Sequence, residues 1–228
     1  MSTIADNIAQ VSSRIRAAAL AAGRNEHSIQ LLAVSKTKPA EALREAYAAG
    51  IRDFGENYLQ EALGKQLELA DLPLIWHFIG PIQSNKTRAI AEHFDWVHSV
   101  DRLKIAQRLS EQRPADLPPL NICIQVNVSG EASKSGCTPA DLPDLANAIG
   151  ALPRLKLRGL MAIPEPTEDR AEQDAAFAAV QKLQASLELP LDTLSMGMSH
   201  DLESAIAMGA TWVRIGTALF GARDYGQS

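Results

Sequence analysis

Lys36 is the first residue along the chain placed to do chemistry. It follows the apolar run Leu31-Leu32-Ala33-Val34 and Ser35, ahead of a segment that reads as a helix from near Pro39. Desolvation past an apolar strand favours the neutral amine, the form of lysine that attacks a carbonyl. A strand-end lysine serves equally as a surface or phosphate-contacting cation, and Lys38 suits that second role. The far end of the chain offers the complement. Gly197-Met198-Ser199-His200-Asp201 and Arg214-Ile215-Gly216-Thr217 each follow an apolar run. Ser199 and Thr217 supply hydroxyl donors, Gly216 lets backbone come close, and helices starting there would point free N–H groups at an anion. Ser199 as a helix N-cap and Gly216 as a turn residue are the alternative readings, and a cap can also be a phosphate ligand. Arg214 fits either an ion pair at the core rim or a cation reaching into a site.

These two ends need a scaffold that brings them together. Apolar, β-rich runs recur at 30–34, 51–54, 74–79, 96–100, 122–128, 155–163, 194–198 and 212–215, with helical segments between. Such alternation implies parallel strands with crossover helices, and eight of them point to a single α/β domain over residues 1–228, a (β/α)8 TIM-type barrel. In a barrel the loops after the strands converge over one mouth, and those after the seventh and eighth strands often hold phosphate. An open, doubly wound sheet is the alternative, because strand count does not show closure. Ile4, Ile8, Val11 and Ile15 form the apolar stripe of an extra N-terminal helix packed on the barrel. Pro39 fits a first helical position, Thr138-Pro139 with Asp141 a helix start, and Gly50 and Gly209 helix stops. The Pro-containing stretches 113–120 and 164–169 read as βα connections or lids.

Composition narrows the function classes. No run approaches the ~18 consecutive apolar residues of a membrane span, and the start of the chain lacks the order of a secretory signal, so a soluble, cytoplasmic protein is expected. Cys123 and Cys137 are too few for a disulfide framework and lack a metal-ligand spacing, which makes them reduced packing residues. A net charge of −5 gives no basic footprint for nucleic acid, so an anionic ligand must be held by a local site.

The segment Trp76-His77-Phe78-Ile79-Gly80-Pro81-Ile82-Gln83-Ser84-Asn85-Lys86 resembles the signature of the pyridoxal phosphate homeostasis protein family. Ala33-Val34-Ser35-Lys36-Thr37, Phe54-Gly55-Glu56-Asn57-Tyr58, Ser133-Lys134-Ser135-Gly136, Ser195-Met196-Gly197-Met198-Ser199 and Val213-Arg214-Ile215-Gly216-Thr217 resemble it too, in order and over essentially the whole chain. The resemblance implies the barrel shared with the N-terminal domain of alanine racemase, with pyridoxal 5′-phosphate (PLP) held as a Schiff base on Lys36. It implies phosphate binding by Ser199, Gly216 and Thr217, and Arg214 facing the pyridine nitrogen. A permanent cation there disfavours a protonated ring and so weakens the electron sink that carbanion chemistry needs.

Within that frame His77 either lines the pocket as a proton carrier or fills a polar slot inside the barrel. Asn57 is a polar pocket residue, and Glu56 serves equally as one or as an acid in the first helical turn. Gln83, Asn85 and Lys86 either receive an anion or cap a helix, and Lys134 is either a solvated lysine or a second cofactor contact. The implied role is intracellular cofactor storage, supply or regulation by a monomer, with PLP-dependent apoenzymes as partners. An amino-acid racemase is the main alternative, but its pattern has a tyrosine four residues after the lysine where this chain has Ala40, and it takes a second base from a further domain. A lysine Schiff-base aldolase or sugar-phosphate isomerase is another.

Overall fold

The computed structural model describes residues 1–130 and 135–222. Eight strands, β1 (Gln30–Val34), β2 (Asp53–Glu56), β3 (Ile75–Phe78), β4 (Trp96–Val100), β5 (Leu120–Gln125), β6 (Leu155–Met161), β7 (Thr193–Ser195) and β8 (Trp212–Ile215), lie side by side in chain order. All pairs are parallel, and β8 returns to β1 with Leu31 opposite Val213 and Leu32 opposite Arg214. The sheet is therefore closed, and the open-sheet alternative falls. Helices α2 (Ala40–Ala48), α3 (Leu59–Glu68), α4 (Thr87–His93), α5 (Leu103–Gln112), α6 (Leu142–Gly150), α7 (Arg170–Ser186), α8 (Leu202–Ala207) and α9 (Thr217–Phe220) follow the strands in turn.

Period-two alternation splits the apolar residues into two cores. Ala33, Phe54 and Val213 face the helices in the large outer core, whereas Leu32, Trp96, Cys123, Met161 and Trp212 fill the barrel interior, with Val34 against them. The inward parity of Leu32 and Val34, carried two residues on, brings Lys36 to the barrel mouth. Cys123 and Cys137 are buried free thiols whose pKa values burial pushes up to about 12 and about 11.

The extra helix, α1 (Ile4–Ala21), opens with a reciprocal cap between Thr3 and Asp6. Ile8, Val11 and Ile15 are buried as the stripe requires, and α1 packs on α2, α8 and α9. No helix among the described residues is long and apolar enough to cross a membrane.

Several boundaries differ from the sequence reading, for local reasons. β2 starts at Asp53 because Gly50 (φ +104°) turns the chain and the Ile51 N–H returns to the Ala46 carbonyl. β7 stops at Ser195 because Gly197 (φ +99°) bends the chain into the next loop. Pro39 is extended at ψ 158° and precedes α2 instead of opening it. Stretch 113–120 joins α5 to β5, so it is neither a βα connection nor a lid. Arg113 pins it there by donating to the Ala91, Phe94 and Pro118 carbonyls. The 164–169 stretch follows β6, as a βα loop should.

Candidate functional site

A cavity of about 290 Å³ opens at the C-terminal ends of the strands. It brings together Lys36, Asn57, Ser199, Arg214, Gly216 and Thr217, with Val34, Lys38, Ile79, Ile163, Met198, His200 and Gly221 completing the wall. Residues 36 and 217 are thus neighbours because β1 and β8 pair. His77 is the nominated residue the cavity does not include: it is fully buried inside the barrel.

The turn that carries Lys36 is held rigidly. Thr37 adopts φ +66°, a left-handed conformation that a non-glycine residue keeps only when its surroundings impose it. The Thr37 N–H donates to Glu61 Oε1 at 2.6 Å, and Lys65 Nζ donates to the Ser35 carbonyl at 2.7 Å, fixing the residues on both sides of Lys36. Lys65 also contacts Glu56 Oε1 at 2.6 Å and Glu61 Oε1 at 2.9 Å. Glu56 is the last residue of β2 and fully buried, not an exposed acid of a helical turn. Burial pushes its carboxyl up to about 7 against the opposing pull of Lys65.

Across the mouth, Gly216 lets β8 end close to β1: a Cβ there would lie 3.3 Å from the Val34 carbonyl oxygen. Ser199 does not cap α8; the Asp201 carboxylate accepts the Met198 N–H at 2.7 Å. The Ser199 carbonyl accepts from Arg14 Nη2 at 2.8 Å, and Arg14 also grips Glu203 through two contacts of 2.8 and 2.9 Å. The helices after Ser199 and Gly216 are six and four residues long. An anion at this end would find the Ser199 and Thr217 hydroxyls and local N–H groups, not a long helix dipole. Lys38 reaches over the mouth to the Ala222 carbonyl at 2.9 Å.

Two residues of the cavity wall place buried polar atoms there. Asn57 Oδ1 has no hydrogen-bond partner, which leaves an acceptor for a ligand donor. Arg214 is 4% exposed and donates to Ser195 Oγ at 2.8 Å and the Ala162 carbonyl at 2.9 Å. Burial lowers its pKa to about 10, which leaves it a cation at neutral pH.

His77 sits in the polar slot of its two readings, between His98 Nε2 at 2.9 Å and Asp53 Oδ1 at 2.8 Å. Gln83 precedes a short 3₁₀ turn, Ser84–Lys86, with no side-chain cap, and Gln83, Asn85 and Lys86 are not among the cavity residues. Lys134 lies outside the described residues. Sequence reasoning missed Lys65, whose i,i+4 spacing from Glu61 on a helix was a usable signal, and His98, which shares inward parity with Trp96. It also passed over His200 and Met198 as wall residues.

The chain matches the family described as alanine racemase, N-terminal domain, over residues 2–224. It is 78% identical to the pyridoxal phosphate homeostasis protein of Pseudomonas aeruginosa over 226 residues, 99% of this chain and 98% of that one. It is 56% identical to the protein of that name from Escherichia coli over 231 residues, 99% of each. The structure of PipY from Synechococcus elongatus with PLP bound superimposes with a TM-score of 0.85 at 44% identity, covering 96% of this chain and 100% of PipY. With a closed barrel, the mouth cavity and likeness over nearly its full length, the chain belongs to the pyridoxal phosphate homeostasis protein family, within the alanine racemase N-terminal domain fold.

Proposed function

We propose that this chain binds pyridoxal 5′-phosphate in the barrel mouth and serves its intracellular homeostasis, holding and yielding cofactor and not turning over a substrate. The observation that carries the reading is the convergence of Lys36, Asn57, Arg214 and the Ser199/Gly216/Thr217 turns on one cavity. The donor set fits the group. Lys36 supplies the amine for a covalent link to an aldehyde carbon. The unpartnered Asn57 Oδ1 suits a ring hydroxyl, and Ser199, Thr217 and the open backbone at Gly216 suit a phosphate. The PipY relative, solved with PLP bound, supports cofactor binding by this barrel.

When bound, the cofactor ring supplies an electron sink whose strength depends on protonation of its nitrogen. Arg214 remains a buried cation at neutral pH, and a cation facing that nitrogen disfavours its proton. This supports the non-catalytic reading. Of the nominated residues, His77 contributes from inside the barrel and not as a wall of the site. The chain acts as one domain and a cytoplasmic monomer, with PLP-dependent apoenzymes as receivers of cofactor and neither nucleic acid nor membrane as partner.

A visible-absorption titration with PLP, followed by borohydride reduction and peptide mapping, tests the site. The expected result is a new band and a reduced adduct on Lys36. A colourless protein unchanged by PLP sinks the reading and favours Lys36 chemistry on a carbonyl substrate. An adduct on Lys38 or Lys134 instead reassigns the linkage. Chiral analysis of amino acids incubated with the protein tests the non-catalytic half, which enzyme-like interconversion of enantiomers would overturn.

A further inference from the structure

The barrel interior holds a string of polar contacts that the mouth cavity does not account for. Arg214 Nη1 donates to Ser195 Oγ at 2.8 Å, and that oxygen lies 2.7 Å from His98 Nδ1. His98 Nε2 lies 2.9 Å from His77 Nδ1, and His77 Nε2 lies 2.8 Å from Asp53 Oδ1. Ser195, His98 and His77 are fully buried, whereas the Asp53 side chain, at the start of β2, is 21% exposed. The string therefore runs from the cavity at the strand C-termini to the opposite face of the barrel. Trp96 stacks on the His77 ring with centroids 5.4 Å apart, and Trp212 meets it edge-on at 4.9 Å, so neither side of that ring is open to water.

Donor counting fixes the direction of every contact. Arg214 can only donate, and the Asp53 carboxylate can only accept. Burial disfavours the imidazolium form of both rings, so each carries one proton. The proton of His77 is then on Nε2, toward Asp53, which leaves Nδ1 an acceptor. His98 must donate through its own Nε2, and its Nδ1 accepts the Ser195 hydroxyl proton. All donors point one way, from the cation at the mouth to the carboxylate at the far face. Flipping either tautomer would set donor against donor or acceptor against acceptor among fully buried groups. Around this string, Asp95 adds to the negative field at His77 and Asp201 to that at Arg214.

We propose that Ser195, His98, His77 and Asp53 are positioning residues for the mouth site: a one-way hydrogen-bond chain, anchored at Asp53, that holds the Arg214 guanidinium in the orientation it presents to a ligand. The Ala162 carbonyl accepts from Nη2 of the same guanidinium, so loss of the Ser195 contact frees its Nη1 side to turn. The proposal deepens the cofactor reading and rests on it only where a ligand is involved.

The experiment has two arms. In ligand-free protein, ¹⁵N–¹H correlation of the imidazole side chains is expected to show His77 and His98 neutral and protonated on Nε2. An imidazolium or an Nδ1–H tautomer at either ring overturns the chain. In the second arm PLP is added to wild type, Asp53→Ala, Ser195→Ala and Ser195→Thr. The two alanine variants are expected to shift the visible absorption of bound cofactor and weaken its affinity roughly threefold to tenfold, with threonine restoring both. Folded alanine variants that match wild type in spectrum and affinity overturn the proposal. If Ser195→Ala does not fold, Asp53→Ala, which changes only the far face, decides. A wild-type protein that takes up no PLP sinks the cofactor reading, and the imidazole arm still judges the chain.

Discussion

Lys36 and the hydroxyls of Ser199 and Thr217 would hold opposite ends of one ligand, and the two contributions are separable. Lys36→Ala is expected to abolish the borohydride-trapped adduct while leaving weaker, non-covalent binding. Charge-assisted hydrogen bonds at the phosphate end, about 1.5–3 kcal/mol each, do not depend on the amine. A full adduct in that variant would show that another lysine carries the link. Replacing Ser199 and Thr217 together by Ala is expected to weaken PLP more than pyridoxal, because only the phosphate uses those donors; equal losses in a binding titration would place the phosphate elsewhere. Arg214 needs a gentler probe than a carboxylate, since burying an unpaired anion beside Ser195 and Ala162 would cost the fold itself. Glu56 gives a prediction in pH. Its folded pKa of about 7 stands above the ordinary 4.5, so the folded state binds the extra proton between those values. Stability from this group is therefore lost as pH rises from about 4.5 to about 7, by up to about 3 kcal/mol. Glu56→Gln should remove that slope: in urea unfolding, wild type should lose ground to the variant between pH 5 and pH 8, and a pH-independent difference would contradict it. Lys36, Ser199 and Thr217 were legible as residues of the mouth cavity because chemistry-bearing types at strand ends stand out in the sequence. Glu56 was not, because its burial is decided by where α3 places Lys65, which no local pattern states.

At the scale of elements, the helix–strand alternation and the stop glycines were readable, and the strand ends were not. The period-two pattern marks which residues face inward, but a strand ends where its backbone partner ends, as β6 does with β7. That contact also gives a test. Gly159 pairs with Thr193 across β6 and β7, and a Cβ at Gly159 would lie 1.7 Å from the Thr193 carbonyl oxygen and 2.8 Å from Gln184 Oε1. Gln184 cannot retreat freely, because the same oxygen accepts the Leu160 N–H at 2.9 Å. Gly159→Ala must therefore part the two strands. A loss of about 3 kcal/mol or more is expected in denaturant unfolding, at the upper end of overpacking costs. A near-neutral effect would mean that β7 is far looser than its register suggests. The elements also show why His77 was ambiguous. Its position on β3 fixed that it faces inward, but only the length of the strand beyond it decides whether an inward residue reaches the mouth, and here Ile79 takes that place.

Across the whole molecule, α1 is the helix that precedes the eightfold repeat, and it lies on the segments that carry Ser199 and Thr217. It packs against α8 and α9, the helices that follow Ser199 and Gly216, and its Asn7 side chain donates to the Leu219 carbonyl at 2.8 Å while Arg14 holds the Ser199 carbonyl. The apolar stripe that announces α1 in the sequence says that it packs on something; only barrel closure shows that the something is the mouth-side end of β7 and β8. The Arg14–Glu203 pair is more than a third exposed on both sides, so it adds less than about 1 kcal/mol, and the buried stripe carries the attachment. Ile8 and Val11 are 7% and 2% exposed, and truncating both to Ala is expected to cost about 3–5 kcal/mol together. The loss should be unevenly spread. Hydrogen exchange should rise first in α8, α9 and the loop at 197–201, where α1 is the cover, and least in β3 to β5, which α1 does not touch in any major contact. PLP release should quicken in the same variant, because the Ser199 turn loses its outer support while the turn that carries Lys36, held at Thr37 by Glu61 and at Ser35 by Lys65, keeps its own. An even rise in exchange around the barrel would show that α1 stabilises the closed sheet as a whole and has no particular hold on the Ser199 and Thr217 segments.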